Sequence, residues 1–158
     1  MNISKIFIGV VIVIAAILVF KNQSKSYDPI YYNQDTYVHI ESTTHNKISN
    51  HFFTPDGIDI EESSKIIQIT DASHPELSKK QVDIVRNQLI SSMDLKPFKG
   101  SKNRYFGIFR KQHPIYAIER GNVFIMYYIT SGFNSDKLQL RAHAREVLDS
   151  MDAIEVLL

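Results

Sequence analysis

Six histidines carry the chain's main capacity for proton or ligand chemistry: His39, His45, His51, His74, His113 and His143. Their spacing forms no HxH pair and no HExxH helix signature, so local structure alone sets no two imidazoles side by side. They read as solvated or loop histidines, with His143 in a structural role beside the apolar stripe of a C-terminal helix. A site, if one forms, comes from the strand and loop histidines of the polar N-terminal half, gathered only by folding. Nucleophilic chemistry has less to work with. There is no cysteine and no G-x-S-x-G elbow. Ser73 and His74 are sequence neighbours in a loop before Pro75, and Glu61 and Glu62 point to opposite faces of an expected strand. The six glycines are scattered, which leaves no phosphate-cradling loop. No catalytic residue, metal ligand or cofactor is expected, and the chain reads as a non-enzyme.

A second group of residues suits recognition instead. The stretch GSKNRYFGIFRKQHPIY interleaves bases with aromatics, and arginine and aromatic side chains are enriched at interface hot spots. The expected partner-binding residues are Arg104, Tyr105, Phe109, Arg110 and Tyr116. The alternative for these aromatics is sheet core. Eighteen Lys and Arg against seventeen Asp and Glu leave a net charge of +1, which argues against electrostatic capture of nucleic acid. A second patch is the tyrosine cluster Tyr31, Tyr32 and Tyr37 in the stalk, equally explained by interfacial tyrosines near a membrane.

The elements that must position these residues follow from periodicity and punctuation. Residues 22–50 are polar and rich in Ser, Thr and Asn, and read as a linker or stalk with one short strand at Tyr37–Glu41. Pro55-Asp56-Gly57 signals a turn, followed by strands at Ile58–Glu62 and Lys65–Thr70. Ser78 with Gln81 has capping-box spacing, and Val82, Val85, Leu89 and Met93 then share one helical face. Three strands follow: Arg104–Arg110, Ile115–Arg120 and Val123–Thr130, the last two joined by Gly121-Asn122. The last strand is apolar on both faces, which places it inside the sheet. A final helix starts at Asn134 or Ser135 and buries Leu140, Ala144, Val147, Leu148 and Met151. The expected fold class is α+β, an antiparallel sheet of about five to six strands packed by two helices. The organisation is 1–21 membrane anchor or signal segment, 22–50 linker or stalk, and 51–158 globular domain.

The address comes from Ile6–Phe20, an unbroken apolar run between Lys5 and Lys21. As a helix it measures about 22 Å, short of a bilayer core of about 30 Å, unless Ile3 and Ser4 join it and the flanking lysines snorkel. An uncleaved signal anchor and a cleaved signal peptide both fit that length. With no cysteine, a lipoprotein anchor is excluded, and no disulfide braces the domain. With the N-terminus inside, the expected location is the bacterial inner membrane, single-pass, with the C-terminal domain in the periplasm.

FFTPDGIDIEES at the start of the globular part, and GNVFIMYYIT followed by REVLDSMD at its end, resemble the opening and closing of PsbP/Mog1-like domains. The closing phrase is Leu148, Asp149, Ser150 and Met151. The resemblance covers roughly residues 52 to 155 and implies an antiparallel sheet sandwiched by helices. It also implies a binding or assembly role. Many members carry a tryptophan after the opening hairpin, and this chain has none. The expected function is a membrane-anchored, envelope-side protein-binding module, either an assembly subunit of a membrane or secretion complex or an immunity protein against a periplasm-acting toxin. The alternative is an exported small-ligand-binding protein or enzyme. The expected partners are the membrane, through the N-terminal helix, and another protein.

Overall fold

The computed structural model describes residues 27–109, 113–130 and 137–155, with backbone alone for 137–141. The expected membrane segment, Arg110 and the expected cap of the last helix lie outside the described residues. Along the chain run β1 (Ile30–Tyr32), β2 (Asp35–His45), β3 (Ile48–Pro55), β4 (Lys65–Asp71), α1 (Lys79–Ser92), β5 (Lys96–Pro97), β6 (Arg104–Phe109), β7 (His113–Arg120), β8 (Val123–Ile129) and α2 (Lys137–Met151). The strands form one curled antiparallel sheet in the order β1-β2-β3-β4-β8-β7-β6-β5.

This corrects the expected α+β domain of five to six strands. The molecule is mostly an eight-stranded sheet with two short helices, because the stretch read as a stalk supplies β1, β2 and the start of β3. Two tight turns build that wing. Asn33 and Gln34 hold φ of 54° and 69°, and Asn46 and Lys47 hold 49° and 68°. Positive φ at both central residues is the backbone of a type I′ hairpin, whose twist matches that of the strands it joins. The polar Ser, Thr and Asn side chains of β2 and β3 therefore sit on paired strands. The strand expected at Ile58–Glu62 is absent. Pro55 ends β3, Asp56 and Gly57 turn the chain at positive φ, and residues 56–64 are turns and irregular chain.

Strand alternation sorts the core into two layers. On one face Tyr32, Tyr37, Phe53, Ile67, Ile69, Tyr116, Ile118, Ile125 and Tyr127 pack beneath α2, whose Ala144, Val147, Leu148 and Met151 are buried. On the other, Phe52, Ile66, Tyr105, Ile115, Ala117, Phe124, Met126 and Tyr128 pack with Leu89 and Met93 at the C-terminal end of α1. Each fully buried large apolar side chain stabilises the fold by about 1.5–3 kcal/mol relative to exposure. β8 lies between β4 and β7 and buries residues on both faces, as its apolar pattern requires.

The helices are pinned at their ends. Ser78 and Gln81 make the reciprocal capping box of α1. At the C-terminal end of α2, Arg120 donates to the carbonyls of Met151, Asp152 and Ile154, and Arg104 pairs with Asp149 and Asp152. Two arginines on adjacent strands thus meet the negative end of the helix dipole.

Candidate functional site

The residues marked for recognition on and beside β6 do not form one surface. Arg104 faces α2 and is engaged by its two aspartates, whereas Tyr105 faces α1, buried, with its hydroxyl 3.2 Å from Glu119 Oε2. Phe109 lies on the Tyr105 face and packs, half-buried, against the α1-side core. Tyr116 is fully buried under α2, its ring 5.4 Å from that of Phe106. Alternation along the strand divides these side chains between the two core layers, and the aromatics serve as core.

Folding does gather two of the six histidines. β2 and β3 pair Ser42 with His51 and His39 with Phe53, with a bulge between His39 and Glu41. The extra residue, Ile40, returns Ser42 to the face that His39 occupies. Ser42 Oγ then lies 2.6 Å from His39 Nε2 and 2.8 Å from His51 Nδ1, and the Tyr27 ring covers both imidazoles at 4.8 and 4.5 Å. Sequence reasoning pointed to this half of the chain but found no pairing, because the convergence depends on hairpin register plus a one-residue bulge. Its local signals were Asn46, suited to a type I′ turn, and Thr-rich alternation on β2.

The electrostatics of this cluster favour neutral rings. Burial pushes His39 below the usual histidine value, opposed by a hydrogen bond to the Glu41 backbone. Burial also lowers His51, reinforced by the nearby His39 and opposed by Asp71. Neutral rings also suit the serine, because its hydroxyl proton needs an acceptor nitrogen, which an imidazolium lacks. Ser42 donates to one neutral ring and accepts from the other. General-base catalysis by a serine–histidine pair needs a stabilised imidazolium, and here a second histidine opposes that charge. The cluster is suited to locking β2 to β3 beneath Tyr27.

Among the described residues no group of three or more His, Cys, Asp or Glu side chains is placed to hold a metal ion. A crevice between α1 and the sheet, lined by Thr70, Val82, Arg86, Leu89, Glu119 and Phe124, has a volume of about 10 Å³, room for about one water. A polar network sits on the same face: Tyr128 donates to Gln68 Oε1 at 2.7 Å, Gln68 Nε2 reaches Asn50 Oδ1 and Thr70 Oγ1 at 3.2 Å, and Thr70 donates to Asn50 at 2.7 Å. These groups satisfy one another.

What remains open is the β1–β3 wing on the side facing α1. Tyr31 pairs with Thr36, so Tyr31, Thr36 and Val38 share that face. Tyr31 is 76 % exposed, Val38 37 % and Ile58, on the loop after β3, 44 %. Thr54, opposite Val38 on β3, ties the loop down through its hydroxyl to the Ile58 carbonyl. The Cβ that Gly57 lacks would lie 3.8 Å from Val38 and 3.9 Å from Ile40 Cδ1, so loop and strand meet there. Sequence reasoning marked Tyr31 within a tyrosine patch and placed Val38 in a short strand, Tyr37–Glu41, which lies inside β2, but it assigned the stretch to a stalk and Ile58 to a strand that is absent. Compared with known proteins, the chain matches no family model, no curated protein and no solved structure.

Proposed function

We propose that this chain is a membrane-tethered, non-enzymatic protein-binding module whose recognition element is the β1–β3 wing, acting on the envelope side of a bacterial inner membrane. The observation that carries it is the exposed apolar set Tyr31, Val38 and Ile58 on one face of the wing. α1 runs instead from the end of β4, past β8, to β6, where its C-terminal backbone meets Gly107. Exposed apolar side chains grouped on one face mark a surface used for association. The tether reading rests on the apolar run Ile6–Phe20. Among the described residues no helix is long and apolar enough to cross a membrane. The PsbP/Mog1-like resemblance, with members that support larger complexes or neutralise a partner, supports the same class of role. Within it, a subunit of a membrane or secretion assembly and an immunity protein are both served by such a surface.

The test is purification of the full-length, C-terminally tagged protein from membranes in mild detergent, with mass spectrometry of partners and of the intact chain. The expected result is carbonate-resistant membrane association, an intact mass near 18.2 kDa and a stoichiometric protein partner. A soluble, shortened chain without a partner overturns the proposal.

A further inference from the structure

We infer that the wing's α1-side face docks a cationic protein segment, one that presents an apolar side chain to Val38 and Ile58 and lysine or arginine to the loop beside them. The inference rests on the protein-binding reading above and deepens it by assigning the partner's chemistry. It starts from charge. Between Tyr27 and Ser64 the acids are Asp28, Asp35, Glu41, Asp56, Asp59, Glu61 and Glu62, and the only Lys or Arg is Lys47. The near neutrality of the whole chain hides this, because the bases lie elsewhere.

The fold then sets where those charges stand. Lys47 is at the far end of the β2–β3 hairpin, paired with Glu76. Lys65, the next base along the chain, pairs with Asp35. Those two cations are committed to other acids. Asp56, Asp59, Glu61 and Glu62 are exposed on the loop that carries Ile58, and among the described residues none of them, nor Glu41, forms an ion pair. The result is an apolar spot of Tyr31, Val38 and Ile58 with an unneutralised acidic loop beside it. Apolar anchors give such an interface its affinity, while a one-signed rim selects and steers a partner of opposite charge. The same rim disfavours an anionic lipid surface. It also disfavours a second copy's wing, which would bring like charges together across a two-fold axis.

The experiment places a photo-crosslinking benzoylphenylalanine at Ile58 in the full-length protein, in membranes of the cells that make it, with the same group at exposed Ile84 on α1 as comparison. The expected result is a protein adduct from position 58 whose crosslinked peptide, sequenced by mass spectrometry, carries Lys or Arg beside an apolar residue. Adduct yield is expected to fall about tenfold when Asp59→Lys, Glu61→Lys and Glu62→Lys are combined. A wash at about 1 M salt, where the Debye length is about 3 Å, lowers the yield of the unsubstituted protein without any risk to folding. A lipid adduct, a self-adduct, or a protein adduct indifferent to both charge reversal and salt overturns the inference. Protein adducts from position 84 alone overturn it, and with it the wing as recognition element, while leaving a protein-binding role in place. Silence from both positions overturns both.

Discussion

Arg120, at the end of β7, donates a hydrogen bond of 2.5 Å to the main-chain carbonyl of Ile154, just past the end of α2. The same guanidinium reaches the carbonyls of Met151 at 3.1 Å and Asp152 at 2.6 Å. The last carbonyls of a helix have no partners within it, so one side chain here closes the end of α2 onto the sheet. Arg120→Met is expected to cost about 1–3 kcal/mol, with Arg120→Lys recovering only part, because an ammonium cannot span three carbonyls as a planar fork does. Urea denaturation followed by circular dichroism reads the difference. Equal midpoints for all three proteins would show that the clamp contributes nothing.

Gly107 sits where β6 passes beneath the end of α1. A Cβ there would lie 3.0 Å from the Asp94 carbonyl oxygen and 3.1 Å from that of Met93. Both obstacles are backbone and cannot rotate away. Gly107→Ala is expected to lower stability by about 1–3 kcal/mol, in contrast to the gain that alanine brings to an unstrained glycine. A thermal melt at or above the wild-type midpoint would refute the close-packed crossing.

Two tyrosines predict opposite outcomes for one chemical change. Among the described residues the Tyr116 hydroxyl is buried without a hydrogen-bond partner, and burial pushes its pKa up, whereas the Tyr128 hydroxyl donates to Gln68 within a closed network. Tyr116→Phe is expected to be neutral or stabilising, since it removes a desolvated, unpaired group, and Tyr128→Phe to cost about 1–2 kcal/mol. Paired denaturation curves decide it, and the same sign for both would contradict the assignment.

The His39–Ser42–His51 cluster predicts an acid-sensitive fold. Both histidines titrate below the unfolded value of about 6.5, so between the two values the unfolded chain binds more protons than the folded one. Stability from these rings is therefore complete above about pH 6.5 and is lost as pH falls through the folded values. The groups facing them are Tyr27, Ser42 and, beyond His51, Asp71, which opposes the shift. His51→Gln is expected to flatten the slope of stability against pH below about pH 6.5, while lowering stability at neutral pH. An unchanged slope, or histidine resonances that titrate at the unfolded value, would remove the cluster as its cause.

Local patterns determined by themselves the parts of this protein that local physics controls. The Ser78–Gln81 cap, the stripe of α1, the Gly121-Asn122 turn and the doubly apolar β8 all follow from spacing of neighbours, and the structure places each where its pattern indicated. The membrane address proposed from the apolar run Ile6–Phe20 rests on the sequence alone. The tertiary structure decided the wing. β2 and β3 are polar enough to read as linker, and only cross-strand pairing, two type I′ turns and one bulge turn them into sheet. Register across that hairpin brings His39 and His51 to one hydroxyl. Alternation across the sheet sends Arg104 and Tyr105 to opposite layers, where a linear reading had joined them. Charge followed the same rule: a net of +1 conceals an acidic wing, because composition sums what folding separates in space.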